Sequence, residues 1–172
     1  MSAVTPTTPS TEQRPGLFSF PDPVNEVSAR LVAGGVVTMA TVTIAFDLRW
    51  FVPFIALGFI ARVLTGPTLS PLGQLVTRVI TPRLPFEGKQ VPGPPKRFAQ
   101  GIGVAFSVTA TVLVALGLWG AAQIVLGMLV AAAFLEAAFG ICLGCKVFAG
   151  LTKLGVIPEE VCERCNDIWA TT

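Results

Sequence analysis

Four apolar segments, separated by short polar or proline-rich stretches, restrict this chain to helices that cross a lipid bilayer. An α-helix needs about 20 apolar residues to span the roughly 30 Å hydrocarbon core. Only 13% of the 172 residues are charged, whereas soluble domains carry about 25% charged residues. The sequence therefore predicts an all-α polytopic membrane protein with four transmembrane helices in two hairpins. The predicted spans are about 24–46, 50–65, 98–119 and 121–145.

The flanking sequence divides the chain into three parts. Residues 22–149 form the predicted transmembrane domain, and residues 1–21, rich in Pro, Thr and Ser, form a disordered tail. Residues 150–172 form a cytoplasmic segment with a short helix. We expect the first helix to start near Pro23, because proline is favoured in a first helical turn. Gly120 alone separates the third and fourth predicted spans, which therefore form a tight hairpin.

A short amphipathic helix is predicted at residues 71–80, between the second and third spans. It is too short to cross a membrane and suits a helix lying on the membrane surface. A helix packed against protein would show the same pattern, and the sequence leaves both interpretations open. Residues 81–97, with five prolines, are predicted to form a loop. The apolar stripe of the helix consists of Leu72, Leu75, Val76, Val79 and Ile80.

The distribution of basic residues predicts the orientation in the membrane. With the N-terminus in the cytoplasm, eleven of the twelve Lys and Arg residues lie on the inner side and only Arg49 lies outside. Cytoplasmic loops of membrane proteins carry such an excess of positive charge. We therefore expect a protein of the plasma (inner) membrane with both termini cytoplasmic. Its cysteines would face the reducing cytosol, where metal binding or catalytic thiol chemistry is more usual than stable disulfides.

Two CxxC pairs carry the strongest chemical signal. Cys142 and Cys145 form the first pair, and Cys162 and Cys165 form the second, sixteen residues further on; there is no histidine. Residues three apart on a helix share a face, so each pair can point both sulfurs at one ion. The spacing of the pairs is typical of a tetrahedral zinc site. The sequence thus predicts zinc bound by all four cysteines, which would clamp the C-terminal helix to the fourth span.

Other chemistry remains open for these cysteines: an iron–sulfur centre, two redox-active dithiols, or reduced thiols that only pack. A reactive CxxC usually has its attacking cysteine at a helix N-terminus, where the helix dipole stabilises the thiolate. We expect Cys142 and Cys145 near the C-terminal end of the fourth helix, where the dipole opposes a thiolate. This expectation favours a metal over redox activity.

One carboxylate falls inside a predicted span. Glu136 lies in the fourth span, and Arg62 lies in the same half of the second. Because unpaired charges are costly in a membrane, we predict an ion pair between Arg62 and Glu136, with a proton or cation relay as the alternative. Glu136 is nine residues from Cys145, which places it about 180° away around a continuous helix. It is therefore expected to face away from the sulfur site.

Several phrases resemble a bacterial membrane family known as domain of unknown function 4395. They are FPDPVNE from Phe20, LSPLGQL from Leu69, PPKRFAQGIG from Pro94 and AAFGICLGCKVF from Ala137. The resemblance covers roughly residues 20–155, and the CLGC phrase is its most specific part. It implies a small four-helix membrane protein of unassigned biochemistry.

The resemblance also bears on the cysteines and on partners. It carries over Cys142 and Cys145 as motif positions, while the role of Cys162 and Cys165 depends on spacing alone. Relatives are sometimes associated with thioredoxin-like or rhodanese-like proteins, which implies thiol or sulfur chemistry.

These observations predict a lipid-embedded subunit with a structural or docking role for a cytosolic or membrane protein partner. They favour this role over an enzymatic one. A histidine-free chain offers no nucleophile–base pair, and a net charge of +2 without basic aromatic strands gives no indication of nucleic-acid binding. The alternative is a redox or sulfur relay through the two CxxC pairs. A transporter using Glu136 and Arg62 is a third hypothesis. The sequence leaves open whether the chain forms a homo-oligomer.

Overall fold

Helices make up most of the fold in the computed structural model, which describes residues 24–66, 69–83, 90–91 and 93–155. The predicted N-terminal tail and the second cysteine pair, Cys162 and Cys165, lie outside these residues. A pair of two-residue strands, β1 (Val24–Asn25) and β2 (Gln90–Val91), is antiparallel. The helices are α1 (Glu26–Ala45), α2 (Val52–Thr65), α3 (Pro71–Gln74, extended by a π-helical turn at Leu75–Ile80), α4 (Gly93–Ala115), α5 (Trp119–Phe139) and α6 (Leu143–Lys153).

The four longest helices form a ring. α1 packs mainly on α5, α2 packs mainly on α4, and α4 and α5 pack on each other, whereas α1 and α2 make few contacts with one another. The predicted hairpin of the first two helices is therefore splayed, and each of its helices is held by the second hairpin. α6 folds back onto α4.

The hydrophobic core fills the half of the bundle that contains the α1–α2 and α4–α5 turns. The opposite half, where α1 and α4 begin and α2 and α5 end, lies outside this core and is less tightly filled. This second half contains the cysteines. The core residues are Val36, Ala40, Val52, Ile55, Phe59, Ala110, Leu126 and Leu129.

Hydrogen bonds and a cation–π contact join the α1–α2 turn to the α4–α5 turn, at the end of the bundle that contains the hydrophobic core. Asp47 adopts a left-handed conformation, with φ of 51°, which aspartate tolerates better than most residues. Its Oδ1 accepts hydrogen bonds from Trp119 Nε1 at 2.7 Å and from Gln123 Nε2 at 3.4 Å. The guanidinium of Arg49 lies 5.5 Å from the centre of the Trp119 ring. These contacts connect the α1–α2 turn to the start of α5.

Within the residues that the structure describes, three helices, α1, α4 and α5, are long and apolar enough to cross a membrane. α2 has 14 residues, which at 1.5 Å per residue reach about 21 Å. The turn between α4 and α5 lies at residues 116–118, where Gly117 has φ of 75°. The prediction that Gly120 alone separates these helices was therefore wrong, since Gly120 lies inside α5.

Two predicted elements differ in detail from the structure. α1 begins at Glu26, because Asn25 Oδ1 caps the backbone N–H groups of Val27 and Ser28. In the α3 region the apolar stripe is divided between two environments. Leu72 packs against Gly35 of α1 and Val76 is buried, whereas Leu75 and Val79 are exposed. Part of this amphipathic segment thus packs on protein.

Candidate functional site

The chain breaks its helix just before the first CxxC pair. Gly140 has φ of 69° and ends α5 in the left-handed conformation that glycine adopts without strain. Arg30 of α1 donates from Nε to the Ala137 carbonyl at 3.2 Å and from Nη2 to the Ala138 carbonyl at 2.8 Å. These bonds satisfy carbonyl groups that a helix end leaves without partners. The predicted continuous span to Cys145 was therefore wrong, and α5 ends at Phe139.

A new helix then starts at the cysteines. Cys142 is the N-cap residue of α6, with extended backbone angles of φ −84° and ψ 104°, and Cys145 lies in the first turn. The positive end of the α6 dipole is consequently next to the Cys142 sulfur, where it favours a thiolate. The expectation that these cysteines lie at a helix C-terminus was therefore wrong. The argument against redox activity, which depended on a helix dipole that opposes the thiolate, fails for the same reason.

The glycine of the CLGC phrase allows α6 to lie against α4. A Cβ atom on Gly144 would overlap the Cα and Cβ atoms of Ala99, so only glycine permits this approach. One turn further along, the rings of Phe148 and Phe98 pack edge to face with their centres 5.5 Å apart. This contact fixes the start of α6, and therefore the cysteine pair, beside the first turns of α4.

The two thiols form an asymmetric pair. Cys142 is 7% exposed and Cys145 is partly exposed. A hydrogen bond from the Cys145 thiol lowers the pKa of Cys142, whereas burial and the negative charge of Glu136 oppose this effect and the positive charge of Lys96 adds to it. The same hydrogen bond, followed by burial, raises the pKa of Cys145. Cys142 is thus the residue of the pair that ionises first.

An ion pair lies beside the thiols. Lys96 Nζ, in the first turns of α4, is 2.6 Å from Glu136 Oε1 on α5, and the two side chains are only 10% and 20% exposed. Both charged groups also interact electrostatically with Cys142 and Cys145. The prediction that Glu136 faces away from the sulfur site was wrong, because the helix break at Gly140 turns the chain back.

Arg62, the predicted partner of Glu136, occupies a different position. It is 4% exposed, its Nε donates to the Gly58 carbonyl at 3.3 Å, and its guanidinium lies 4.7 Å from the centre of the Phe59 ring. It interacts with Glu136 electrostatically, but the ion pair within 4 Å is made by Lys96. Lys96 reaches Glu136 because it lies inside α4 and not in a preceding loop.

Sequence reasoning missed Lys96 and its neighbour Gln100. It assigned Lys96 to a proline-rich loop, whereas α4 starts at Gly93 and contains Pro94 and Pro95 in its first turn. Proline is well tolerated there, because the first N–H groups of a helix have no partner within it. Reading the two prolines as a helix start would have placed Lys96 within α4 and not in the loop that precedes it.

The described residues contain no group of three or more His, Cys, Asp or Glu side chains that could hold a metal ion. Cys142 and Cys145 bring two sulfurs together, and the other two predicted ligands, Cys162 and Cys165, lie outside the part of the chain that the structure describes. The four-cysteine zinc site accordingly stays a prediction.

The fold and the site define a class of protein: a helical bundle with helices long and apolar enough to cross a membrane, which holds a CxxC pair at the start of a short helix, with Cys142 buried and Cys145 partly exposed. The chain belongs to the family described as Domain of unknown function (DUF4395), which matches residues 24–153. The matched region contains α1 to α6 and the first cysteine pair. No curated protein and no solved structure matches the chain.

Proposed function

We propose that this protein is a membrane-embedded thiol–disulfide exchange protein in which Cys142 is the attacking thiolate and Cys145 the resolving thiol. The observation that carries the proposal is the position of Cys142 at the N-terminus of α6, in a hydrogen bond with Cys145 and next to the Lys96–Glu136 pair. A helix N-terminus activates a cysteine, and the hydrogen bond from Cys145 further stabilises the Cys142 thiolate. A cysteine that only packs needs neither.

The exchange needs a partner that contains a disulfide. The Cys142 thiolate attacks one sulfur of that disulfide, forms a mixed disulfide and releases the partner's other sulfur as a thiolate. Cys145 then loses its proton and attacks the Cys142 sulfur, which releases the second partner thiolate and leaves a Cys142–Cys145 disulfide. Two electrons pass from the pair to the partner, and the reverse sequence reduces the pair.

The charge distribution supports a cytosolic partner. We place α2 in the membrane as a fourth, short span, extended by the 3₁₀ turn at Arg49–Phe51, so that both termini are cytoplasmic in the plasma membrane. Eleven of twelve basic residues then lie on the side of the cysteines. A thioredoxin-like or rhodanese-like protein has the chemistry to exchange electrons or sulfur with Cys142 there.

Trapping of the mixed disulfide tests the proposal. In a Cys162→Ser/Cys165→Ser background, Cys145→Ser should accumulate a mixed disulfide with an added thioredoxin-like protein whose own second cysteine is replaced by serine and whose remaining cysteine is activated as an aromatic disulfide. Neither protein then holds a second thiol that could resolve the mixed disulfide. The matched control Cys142→Ser should accumulate none. Intact mass measured before and after reduction reports both results. Equal trapping by the two variants would mean that Cys142 is not the attacking residue and would refute the assignment.

A zinc clamp is the second candidate function, and the closeness of the Cys142 and Cys145 thiols supports it. Two sulfurs at the start of a helix make half of a tetrahedral zinc site, and Cys162 and Cys165 would complete it. The C-terminal segment would then be fastened below α6 as a docking element for a partner, with an iron–sulfur centre as the alternative occupant.

Metal content distinguishes the two functions. Protein purified under reducing conditions without chelator should contain zinc at one ion per chain if the clamp exists, and all four thiols should resist alkylation until a chelator is added. The Cys162→Ser variant should lose the metal. Metal-free protein whose thiols alkylate at once would exclude the clamp and leave the exchange function standing.

A further inference from the structure

A cavity opens directly above the cysteine pair. It has a volume of about 500 Å³ and lies between α1, α2, α4 and α5, in the half of the bundle that the hydrophobic core does not fill. Pockets of about 300–1,000 Å³ commonly hold small organic ligands. The splay between α1 and α2 creates this space, since each of these helices packs on the other hairpin.

The cavity has a polar end and an apolar end. Cys142, Lys96, Glu136 and Arg62 line it on the side of α6, and side chains such as Phe106 and Leu129 line it nearer the core. From Lys96 to Phe106 the rise along α4 is about 15 Å. The cavity therefore suits an elongated ligand with a polar head at the cysteines and an apolar body that extends toward the membrane centre.

One polar atom of the described cavity wall lacks a partner that a ligand could supply. Gln100 lines the cavity, and its Oε1 is buried and accepts no hydrogen bond from any residue that the structure describes. Burial of an unsatisfied amide oxygen is unfavourable, because the group has given up its hydrogen bonds to water. On the same wall, the buried Arg62 and Lys96 present donors. A ligand with two redox states suits this wall. In one state its oxygens would accept hydrogen bonds from Arg62 and Lys96, and in the other they would donate hydrogen bonds to Gln100.

We propose that the cavity binds a lipophilic quinone, which the Cys142–Cys145 pair reduces to the quinol. The inference depends on the exchange function proposed above and names its membrane-side electron acceptor. A quinone carbonyl accepts hydrogen bonds from Lys96 or Arg62, and the quinol hydroxyl donates to Gln100. Its isoprenoid body suits the apolar end of the cavity.

The reaction is balanced by the two thiols alone. The Cys142 thiolate adds to a ring carbon of the quinone, forming a carbon–sulfur bond, and the resulting enolate oxygen takes up a proton. The Cys145 thiolate then attacks the Cys142 sulfur, so that the disulfide forms and the carbon–sulfur bond breaks. Its electron pair stays on the ring, which takes up a second proton. Two thiols and one quinone give one disulfide and one quinol.

The chemistry of the wall separates this ligand from an ordinary phospholipid. The charge of Lys96 is already balanced by Glu136 at 2.6 Å, so the site offers less net attraction for a phosphate than two free cations would. A phospholipid also accepts no electrons from the thiols, and the reacting sulfur of Cys142 is itself part of the cavity wall.

Quinol formation by the full-length protein in lipid nanodiscs tests the proposal. Pre-reduced protein is mixed with decylubiquinone, quinol is followed by ultraviolet absorbance, and the Cys142–Cys145 disulfide is identified by mass spectrometry. One quinone should be reduced per cysteine pair. Ala132→Phe, which fills the cavity, should lose quinone reduction but still react with a soluble disulfide. Ala115→Phe, an exposed position on α4 outside the cavity, should keep both reactions.

A binding measurement keeps the result clear if Ala132→Phe does not fold. The Cys142→Ser/Cys145→Ser variant should still bind decylubiquinone, measured as a rise in melting temperature, and should reduce none. Quinone that neither binds nor reacts while the soluble disulfide still exchanges would overturn this inference alone. Loss of both reactions in the native protein would overturn the exchange function too. Stabilisation by anionic phospholipid, with none by quinone, would assign the cavity to lipid and also overturn the inference.

Discussion

The first prediction concerns the contact between Gly144 and Ala99, because this contact positions Cys142. Gly144→Ala adds a Cβ atom that overlaps the Cα and Cβ atoms of Ala99, and a backbone atom of α4 cannot rotate away. Forced overpacking costs about 1–3 kcal/mol, whereas replacing a helical glycine by alanine contributes about 0.5–1 kcal/mol. The net expectation is a loss of about 0–2.5 kcal/mol, centred on about 1 kcal/mol, with a displacement of α6 accounting for the smaller losses.

Gly150 provides the matched control for this substitution. It lies in the same helix, and a Cβ atom there would meet nothing within 4 Å. Gly150→Ala should therefore leave the packing intact and stabilise the protein by about 0.5–1 kcal/mol. The two substitutions have the same chemistry and should act in opposite directions.

Two measurements check the prediction. Unfolding in mixed micelles with increasing SDS gives the change in the free energy of unfolding, and the rate of iodoacetamide reaction at neutral pH reports the environment of Cys142. Gly144→Ala should lower both, and adding Ala99→Gly should restore part of each. If Gly144→Ala matches Gly150→Ala in stability and leaves the alkylation rate unchanged, α6 does not dock on α4 through this glycine and the reasoning fails.

Three further predictions concern the charges and the distant turn. Because Cys145 and Lys96 lower the pKa of Cys142, its alkylation should rise at a lower pH than that of free cysteine, and Lys96→Met should move the rise to higher pH; an unmoved profile would contradict this. Glu136→Gln leaves Lys96 unpaired and should cost about 3 kcal/mol in the same SDS unfolding assay. Asp47→Ala removes the acceptor of the Trp119 indole and should cost about 1–3 kcal/mol, with Cys142 alkylation unchanged because the turn lies at the other end.

Much of the helical architecture could be predicted from the sequence because hydrophobicity acts locally. A run of apolar residues such as Leu31–Phe46 must be helical in lipid, where each backbone polar group needs an internal partner. The confirmed parts are the helical fold, the length and apolar composition of α1, α4 and α5, which suffice to cross a membrane, and the family. Helix ends were less predictable, because Asn25 and Gly140 act through hydrogen bonds that hydropathy does not report.

The partner of Glu136 could not be predicted for a different reason. Arg62 and Lys96 are both basic, and both lie in the correct half of the chain's predicted topology. Which of them approaches the carboxylate within 2.6 Å depends on the packing of α4 against α5. The sequence predicted that this helix begins near residue 98, whereas α4 begins at Gly93. The earlier start moves Lys96 from a loop into the bundle.

The sequence alone determined that the chain is helical, that three of its described helices are apolar enough to cross a membrane, and that the first CxxC pair follows the last of them, because composition and spacing are properties of the chain itself. Tertiary structure decided what that sulfur can do. Arg30 from α1 and the close approach of Gly144 to Ala99 end one helix and start another at Cys142. The helix dipole at this cysteine is thereby reversed, and its sign depends on contacts between residues more than forty positions apart in the sequence.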